Sequence, residues 1–496
     1  MNLISKLKTK KSLNIIYEEN KSINLKKLLE IVKFNTIILK QLDIKNKDII
    51  AIVLENGPCF ITSFLSIINN CISAPLNPNY TASEFNFYFK DLKPKALITN
   101  LANNHPSIKT AYKYKIKIIR FTDNFYFEIN KKFLIKKSFK NQSSNIKDIA
   151  LILHTSGTTS RPKMVALSHQ NLISSSRNIS KALTLKKSDK NIILMPSFHI
   201  HGIIASILAP LFAGSSVVAL PKFNVLTFYG FLEKYMPTWF TAVPTMLQSI
   251  LDRAKNNTKI LKNSNLRFIR SSSASLPSNT FKSLEKLFNI PVIESYGMTE
   301  ATHQMTTNLL PPKKRKINSV GVPVGLQVKI IDKNFNFLAY NREGEVVIKG
   351  KNVLSSYLAN SKANKESFFK GWFRTGDLGY FDKDGYLFIS GRIKEIINRG
   401  GEKISPKEID EVFMTHPKVS KAISFSVKHP KLGEDISLAI VLKNKKNCKP
   451  SELKDFAKNK LARFKIPKNI YIVNEIPIGA TGKIQRIGLA KKLGIE

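Results

Sequence analysis

Short apolar runs alternate with amphipathic helical patterns over most of the first 300 residues, and this alternation constrains the fold more than any other feature of the chain. Runs at residues 49–54 and 96–99 are each followed by a helical pattern. The alternation continues in further runs at residues 192–195, 216–220, 239–242, 266–270 and 292–294. Strands that are joined through helices run parallel and are covered on both faces. The pattern therefore predicts an α/β fold with covered mixed or parallel sheets.

The pattern of apolar and polar residues changes after residue 316. Short alternating runs with Gly-rich turns, such as 327–331 and 344–349, predict a β-rich subdomain over about residues 317–390. The remaining residues show a compact α+β pattern with, in chain order, helix 406–415, strand 420–427, strand 436–443 and helix 451–461. We expect an N-terminal domain over residues 1–390 and a small, mobile C-terminal domain over residues 391–496.

The chain of 496 residues carries a formal net charge of +44, which is typical of proteins with nucleic-acid or anionic-membrane partners. Lys and Asn are abundant along the whole chain, however, and the charge is not concentrated in one segment. We therefore expect no nucleic-acid binding. The basic run at residues 313–316 is interpreted as a solvated loop.

The three cysteines, Cys59, Cys71 and Cys448, have neither metal-ligand nor redox spacing, which favours a reducing compartment. The first residues lack the apolar core of a signal peptide, and the longest apolar stretch, at residues 60–74, is too short to span a bilayer. We expect a cytoplasmic protein with no membrane insertion.

Residues 154–163, with the sequence HTSGTTSRPK, combine small residues, hydroxyl groups and a basic end. The segment follows an apolar run that predicts a buried strand at 149–153, and a helical pattern begins at about Ser168. Backbone N–H groups of such a turn can surround a phosphate, and Lys163 adds a positive charge. The second glycine and the Lys-Ser/Thr pair of a Walker loop are missing. The segment predicts a phosphate-binding loop of another kind.

Four further segments carry side chains suited to nucleotide chemistry. They are residues 293–303 (IESYGMTEATH), 371–377 (GWFRTGD), 391–406 (GRIKEIINRGGEKISP) and 481–486 (TGKIQR). Tyr296 can stack on a purine, Glu300 can hold Mg²⁺ against phosphates, and Asp377 can accept hydrogen bonds from both ribose hydroxyls. Each segment taken alone is equally compatible with an ordinary strand end or turn.

In their order and spacing the five segments resemble the adenylate-forming superfamily of acyl-CoA synthetases, adenylation domains and luciferases, over essentially the whole chain. The resemblance implies two half-reactions. A carboxylate attacks the α-phosphate of ATP to give an acyl adenylate and pyrophosphate, and a thiol then takes the acyl group. The implied partners are ATP, Mg²⁺, coenzyme A and a small carboxylic acid, in a monomer or homodimer.

The same resemblance assigns roles to individual positions. Lys483 would bridge the reacting carboxylate and the α-phosphate, and Glu300 would bind Mg²⁺. The small domain would rotate about Lys394 between the half-reactions and bring a loop to the coenzyme A channel, with the residues Gly400, Gly401 and Lys403. ATP would be bound by Thr155, Ser156, Gly157, Thr158, Thr159, Lys163, Glu294, Ser295, Tyr296, Gly297, Thr299, Asp377, Arg392 and Lys483.

Within the superfamily, the local sequence is most similar to that of oxalate-CoA ligases. The segments that carry this similarity are residues 154–163, 196–202 (PSFHIHG), 267–276 (RFIRSSSASL) and 299–303 (TEATH). The similarity implies that Ser273, His303 and Lys483 contact the acid. Each of two residues has a purely structural alternative. Ser273 would then bond only to backbone, and His303 would only complete a helix end.

His199 resembles a gating histidine of the same family, and His201 and Arg270 are further candidates for contact with a second carboxylate. When one carboxylate of oxalate reacts, the other enters the pocket as an anion, so the pocket must be polar. Met164 stands where the superfamily usually has glycine, so the backbone there adopts a negative φ or is strained.

Two classes of alternative remain open from the sequence. A coumarate-type, malonate or medium-chain fatty acyl-CoA synthetase would share every ATP residue and differ only in the acid pocket. A basic nucleic-acid-binding protein is the alternative of a different class, although no known DNA- or RNA-binding motif is present.

Overall fold

A computed structural model of the chain describes residues 2–10, 12–18, 21–128, 144–155, 162–443, 447–477 and 486–495. These ranges contain four β-sheets and the helices that cover them. Within the same ranges, no helix combines the length and the apolar character that crossing a membrane requires.

The α-helices are, in chain order, α1 (Leu3–Leu7), α2 (Leu25–Gln41), α3 (Pro58–Ile68), α4 (Ala82–Leu92), α5 (Pro106–Lys113), α6 (His169–Ala182), α7 (Ala209–Ala213), α8 (Val225–Tyr235), α9 (Pro244–Ala254), α10 (Thr258–Lys262), α11 (Ser278–Phe288), α12 (Ser361–Ser367), α13 (Pro406–Met414), α14 (Pro450–Lys458) and α15 (Leu489–Lys492). A π-helical segment, His201–Leu208, precedes α7. Short 3₁₀ turns include Thr299–Ala301 and Ile393–Glu395.

The strands are β1 (Asn14–Ile16), β2 (Ser22–Asn24), β3 (Ile49–Ile52), β4 (Ile72–Pro75), β5 (Ala96–Ile98), β6 (Lys117–Ile119), β7 (Ile149–Thr155), β8 (Lys163–Ser168), β9 (Lys190–Ile192), β10 (Ser216–Val218), β11 (Trp239–Ala242), β12 (Phe268–Ser272), β13 (Val292–Met298), β14 (His303–Thr307), β15 (Val322–Pro323), β16 (Gln327–Ile331), β17 (Gly344–Lys349), β18 (Tyr357–Leu358), β19 (Phe368–Phe369), β20 (Trp372–Phe381), β21 (Leu387–Arg392), β22 (Ile397–Arg399), β23 (Glu402–Ile404), β24 (Val419–His429), β25 (Gly433–Leu442) and β26 (Asn469–Ile472).

The first two sheets confirm the predicted α/β class. A nine-stranded sheet has the order β15-β14-β13-β12-β11-β9-β10-β1-β2, and its strands from β13 to β1 pair in parallel. A seven-stranded sheet has the order β18-β8-β7-β4-β3-β5-β6, with β7 to β6 parallel. Both sheets end in antiparallel strands, so they are mixed. The carboxyl ends of β11, β12 and β13 lie side by side, where α/β proteins commonly place ligands.

A five-stranded antiparallel sheet of β16, β17, β19, β20 and β21 follows. It lies within the predicted β-rich region, but two short strands of that region join other sheets: β15 pairs with β14, and β18 pairs with β8. The basic run in front of this sheet is more than a solvated loop, because Arg315 pairs with Glu285 and Lys316 with Asp382 and Asp384. These ion pairs attach the run to α11 and to the turn after β20.

The last sheet has the order β23-β22-β25-β24, with β26 beside β25. Its apolar faces pack with α13 and α14 in a core made of residues from 397 onward, including Ile397, Phe413, Leu438 and Leu453. Two hydrogen bonds connect this part to the end of β21. Ser405 Oγ donates to Ser390 O over 2.6 Å, and Lys407 Nζ donates to Ile389 O over 2.6 Å.

The strand and the helix predicted on either side of residues 154–163 are both present, but one further strand between them was not predicted. The apolar run at 149–153 does form a strand, and helix α6 does begin beside Ser168, whose side chain accepts a hydrogen bond from the backbone N–H of Asn171. Between them the structure has a second strand, β8, so the predicted phosphate-binding segment connects the two strands of a β-hairpin. Residues 163–168 are too short a run for periodicity to distinguish a strand from the start of the helix.

Candidate active site

The predicted phosphate-binding loop connects β7 and β8, whose last cross-strand pair is Thr155 and Lys163. The predicted loop residues outside the described ranges are Ser156, Gly157, Thr158 and Thr159. Lys163 Nζ lies 4.6 Å from the centre of the Tyr357 ring. The Tyr357 hydroxyl donates a hydrogen bond of 2.9 Å to Oε1 of Glu300, which is 7% exposed. One tyrosine therefore connects the basic end of the loop to the predicted Mg²⁺ ligand.

Tyr357 is a site residue that the sequence analysis missed. It lies in β18, which pairs with β8 through Tyr357 and Val165. Burial and the neighbouring Glu300 carboxylate raise the pKa of its hydroxyl, so the group is a neutral hydrogen-bond donor. Because β8 and β18 are far apart in the sequence, no local pattern identifies this residue.

Met164 occupies a regular position in the hairpin. It pairs with His154 in β7 and with Leu358 in β18. It is not among the non-glycine residues with positive φ. The backbone therefore has a negative φ at this position, and the replacement of glycine by methionine introduces no left-handed strain.

Tyr296, Asp377 and Arg392 form one hydrogen-bonded cluster. The Tyr296 hydroxyl donates to Asp377 Oδ2, and Arg392 Nε donates to Asp377 Oδ1 over 2.8 Å. Asp377 and Arg392 are directly opposite each other in β20 and β21. Desolvation and the adjacent carboxylate raise the pKa of the Tyr296 hydroxyl well above 10, and Asp377 raises the pKa of Arg392. The structure thus brings together three predicted nucleotide-binding residues from two sheets.

Two other predicted ATP residues, Glu294 and Ser295, are buried in β13 and bonded to the protein itself. Glu294 Oε1 accepts from the backbone N–H of Leu276 over 3.1 Å, and Ser295 Oγ donates to Ser271 O over 3.2 Å. Burial raises the pKa of Glu294 to about 7. These hydrogen bonds tie both side chains to neighbouring backbone groups and support the strand.

Gly297 allows β13 and β14 to approach closely, because a Cβ atom at this position would lie 1.6 Å from His303 O. Thr299 begins the 3₁₀ turn that follows β13. Together with the half-buried His199, it lines a small cleft of about 40 Å³ beside the β7 end of the hairpin. The His199 ring lies 4.6 Å from that of Phe198. The predicted gating histidine therefore borders a cleft next to the β7–β8 hairpin.

The predicted acid-contacting residues converge at the carboxyl ends of β11 and β12. His201 Nδ1 lies 3.0 Å from Ser273 Oγ, and His201 Nε2 lies 2.6 Å from Thr241 Oγ1. The rings of His201 and His303 stack at 4.5 Å with an interplanar angle of 19°. Ser273 and His303 have φ values of 77° and 86°, a conformation that is uncommon for residues other than glycine and occurs frequently at functional sites.

Arg270 lies beneath this group and is fully buried. Its Nη1 donates to Thr241 Oγ1 over 3.0 Å and lies 3.4 Å from His201 Nε2, and its Nη2 donates to Gln304 Oε1 over 3.1 Å. Within the described ranges, its Nε–H has no hydrogen-bond partner and no carboxylate forms an ion pair with it. Burial lowers the pKa of Arg270 to about 9, so the group is a cation at neutral pH. The site contains a buried positive charge that the described protein does not neutralise.

Ser273 contacts a side chain rather than backbone, and His303 is the first residue of β14 rather than the end of a helix. These positions differ from the structural alternatives considered for both residues. Thr241 and Gln304 were not predicted. Thr241 lies in an apolar strand and Gln304 in a polar one, and neither was part of a recognised binding motif. Only the strand order β14-β13-β12-β11 in the nine-stranded sheet brings them to Arg270.

The predicted hinge and coenzyme A loop lie at the surface. Lys394 is exposed in the 3₁₀ turn after β21. Gly400 and Gly401 form the two-residue turn between β22 and β23 with φ values of 59° and 96°, which fit glycine at both positions of such a hairpin. Lys403 lies in β23 with an exposed side chain. Lys483 lies outside the described residues.

Arg486 is the last residue of the predicted segment 481–486 and is bound by two acids. Its Nη2 lies 2.9 Å from Asp410 Oδ2, and its Nε lies 3.2 Å from Glu395 Oε2. Its Nη1 also donates to the backbone carbonyl of Ser424. The end of the terminal segment is therefore attached both to α13 and to the turn that contains the predicted hinge.

Comparison with known proteins tests the family. A family model described as AMP-binding enzyme matches residues 8–358, and another described as AMP-binding enzyme C-terminal domain matches residues 408–483. An oxalate–CoA ligase of Arabidopsis thaliana is 44% identical over 452 residues, covering 89% of this chain and 88% of that protein. An oxalate–CoA ligase of Saccharomyces cerevisiae is 43% identical over 474 residues, covering 90% and 87%.

Among solved structures, that of ATP-bound MatB from Rhodopseudomonas palustris is similar to this chain with a TM-score of 0.91 and 26% identity, covering 99% of both chains. The resemblance predicted from the five segments is confirmed by these matches. The chain belongs to the AMP-binding enzyme family, within the adenylate-forming superfamily.

Proposed function

We propose that the protein is an acid-thiol ligase that activates oxalate with ATP as oxalyl adenylate and transfers the oxalyl group to coenzyme A, giving oxalyl-CoA, AMP and pyrophosphate. The observation that carries the choice of acid is the buried Arg270, which has no acidic partner within the described ranges and lies under His201. Two relatives that are 43–44% identical to this chain are oxalate–CoA ligases, which supports the same choice.

The acid pocket suits an acid that carries a second negative charge. A carboxylate that is moved from water to a buried site costs several kcal/mol unless hydrogen bonds and a cation compensate it. Ser273, His201 and His303 would bring polar atoms to the rim, and Arg270 would supply positive charge below them. The apolar chain of a fatty acid would offer this buried cation neither negative charge nor acceptor atoms, so the same pocket would not favour it.

The phosphates of ATP would be bound at the end of the β7–β8 hairpin. Thr155 and Lys163 close the hairpin, and Ser156, Gly157, Thr158 and Thr159 would surround the β- and γ-phosphates. Preorganised cations and N–H donors at this position offset the charge that develops on phosphorus during adenylation.

Glu300 fits the requirements of a Mg²⁺ ligand. Its carboxylate accepts one hydrogen bond from the neutral Tyr357 hydroxyl, and no Lys or Arg of the described ranges forms an ion pair with it. A carboxylate offers about four acceptor sites, so capacity for a hard cation remains. Mg²⁺, when bound, would neutralise phosphate oxygens of ATP. Tyr357 would hold the Glu300 carboxylate in place and keep Lys163 beside it.

The nucleoside of ATP would be bound by the cluster of Asp377, Arg392 and Tyr296. Asp377 would accept hydrogen bonds from the ribose hydroxyls, so the hydrogen bond from the Tyr296 hydroxyl must be exchanged for one from the sugar. Arg392 would keep the Asp377 carboxylate oriented during this exchange. The buried Glu294 and Ser295 would fix the strand that presents Tyr296.

The second half-reaction would require movement of the C-terminal part, from residue 391 onward, about Lys394. Lys483 would act in adenylation, and the turn with Gly400, Gly401 and Lys403 would then face coenzyme A. The ion pairs of Arg486 with Glu395 and Asp410 would keep the Lys483 segment attached to the moving part. His199 would gate the passage of the thiol to the acyl adenylate. We propose that the enzyme works in the cytoplasm as a monomer or homodimer, without nucleic acid.

Measurement of AMP release with oxalate, malonate, hexanoate and coumarate, each with ATP and coenzyme A, tests the proposed acid. We expect the highest kcat/KM for oxalate, a lower value for malonate, and the lowest values for the two monocarboxylic acids. A preference for hexanoate or coumarate would contradict the proposal and would favour a fatty acyl or coumarate-type synthetase. A preference for malonate would agree with a pocket for a dicarboxylate but would make malonate, rather than oxalate, the substrate.

A further inference from the structure

Both ring nitrogens of His201 have polar neighbours, and the neighbours of Nε2 differ chemically from the neighbour of Nδ1. At Nε2 lie the Thr241 hydroxyl, 2.6 Å away, and the Arg270 Nη1, 3.4 Å away. At Nδ1 lies the Ser273 hydroxyl, 3.0 Å away. His201 is 2% exposed, so bulk water does not decide which nitrogen carries the proton.

Arg270 decides the position of the proton because a guanidinium is only a donor. Its Nη1 donates to Thr241 Oγ1 over 3.0 Å, so the hydrogen of the Thr241 hydroxyl is free to point at His201 Nε2. A hydrogen on Nε2 would face both this hydroxyl hydrogen and the N–H groups of a cation. Nε2 is therefore the acceptor, and the proton of a neutral imidazole is on Nδ1.

The proton on Nδ1 determines what Ser273 can do. If Nδ1–H donates to Ser273 Oγ, the hydrogen of the Ser273 hydroxyl is free to point away from His201. Ser273 is half-buried, whereas Thr241, His201 and Arg270 are buried, so Ser273 is the most accessible member of this series. Every donor in the series from Arg270 through Thr241 and His201 to Ser273 then points in one direction, and such chains strengthen each member.

We infer that Thr241 and Arg270 are positioning residues that hold His201 as the Nδ1–H tautomer and thereby present the hydroxyl hydrogen of Ser273 to the carboxylate of the acid. The identity of that carboxylate rests on the proposed function, whereas the tautomer of His201 does not. This hydrogen-bond series favours anions at this position, since a substrate group without acceptor atoms would leave the Ser273 hydroxyl hydrogen without an acceptor.

The variants Thr241→Val and Thr241→Ser separate this role from packing. Valine keeps the shape of threonine and removes the hydroxyl, whereas serine keeps the hydroxyl and removes the methyl group. We expect Thr241→Val to raise the KM for the acid about tenfold, the effect of one lost buried hydrogen bond, and to leave the KM for ATP within about twofold. Thr241→Ser should restore the wild-type KM for the acid. If the serine variant is the defective one and the valine variant is normal, the side chain only fills space and the inference is wrong.

A spectroscopic measurement on the ligand-free enzyme tests the tautomer directly. In protein labelled with ¹⁵N-histidine, the ring nitrogens of the two neutral tautomers have different chemical shifts, and the His201 signals are identified by their loss in His201→Gln. We expect a protonated Nδ1 in the wild type and in Thr241→Ser, and a mixture of tautomers in Arg270→Gln. A protonated Nε2 in the wild type would overturn the inference. A protonated Nδ1 in an enzyme that prefers hexanoate would keep the inference and contradict only the proposed function.

Discussion

Arg392 and Arg270 each lie at the centre of a predicted binding cluster, and they differ in whether a carboxylate compensates their charge. Arg392 donates to Asp377 over 2.8 Å, directly across a pair of strands. Arg270 is fully buried, and its partners Thr241, Gln304 and His201 include no carboxylate. The first cluster is neutralised before any ligand binds, whereas the second has positive charge to share with an anion.

This difference distinguishes two kinds of recognition. A neutral sugar needs well-oriented hydrogen-bond acceptors. The Asp377 carboxylate is such an acceptor, and its pairing with Arg392 compensates its charge, so the site does not attract ions. A second carboxylate needs a compensating charge, because an anion buried without one is strongly disfavoured. The four predictions below test this contrast and are ordered from the largest expected effect to the smallest.

Removal of the acceptor in the neutralised cluster should have the largest effect. We expect Asp377→Ala to lower kcat/KM for ATP close to a thousandfold, or about 4 kcal/mol, because two charge-assisted hydrogen bonds to the ribose are lost. The KM for the acid should change little. Steady-state kinetics with ATP varied at saturating acid measures the effect. The exposed Glu343→Ala in the same region serves as the control, and an equal loss in both variants would contradict a specific role for Asp377.

Removal of the charge in the other cluster should affect the acid instead. We expect Arg270→Gln to raise the KM for oxalate about a hundredfold, near 3 kcal/mol, and to lower the ratio of kcat/KM for oxalate over hexanoate. Arg267→Gln is a matched control three residues away, since Arg267 is already paired with Asp189 at 2.7 Å. Kinetics with both acids measure the ratio. An unchanged ratio with a lowered Tm would mean that Arg270 only stabilises the fold.

The third prediction concerns Glu294, which lies in the strand between the two clusters and is a buried acid with a pKa raised to about 7. In the folded state this carboxyl keeps its proton over a pH range in which the unfolded chain has released it. The free energy of unfolding therefore falls as pH rises from about 4.5 to about 7.

Between pH 5 and 7 the contribution of Glu294 to this fall should be about 2 kcal/mol. Glu294→Gln keeps the acceptor for the Leu276 N–H and removes the titration. Urea unfolding of both proteins at several pH values measures the difference. Parallel curves for the wild type and the variant would show that the carboxyl does not titrate in this range.

The smallest effect is expected at the connection between Lys163 and Glu300. Tyr357→Phe keeps the ring that Lys163 contacts and removes the hydroxyl that Glu300 accepts from. We expect kcat/KM for ATP to fall about fivefold, the value of one hydrogen bond near 1 kcal/mol, with a higher Mg²⁺ concentration needed for half-maximal rate. Mg²⁺ titration of AMP formation is the measurement. A normal Mg²⁺ dependence would separate Tyr357 from the metal site.

Local patterns were sufficient where one segment forms a whole element. The strands at 239–242, 327–331 and 344–349 have the predicted bounds, and the predicted helices near 406 and 451 are α13 and α14. The strand β8 was missed because a short run between a loop and a helix has no period of its own. The ion pairs of Arg315 and Lys316 were missed because their acidic partners lie in other elements.

The candidate site divides in the same way. The residue types of Asp377, Glu300 and Lys163 indicate their chemistry, and their motifs were recognised in the sequence. Tyr357, Thr241 and Gln304 have no motif, although each contacts a predicted residue. These side chains owe their position to the pairing of strands that are distant in the sequence.

The sequence by itself determined the α/β class, the order of the five segments and the family, since all three depend on local patterns and on their succession along the chain. Only the tertiary structure decided that Asp377 is neutralised by Arg392 and that Arg270 is not neutralised by any described acid. The physical reason is that the charge state of a buried site depends on which side chains lie within a few ångströms of each other. That proximity is set by strand order and register, which bring together residues that no local pattern connects.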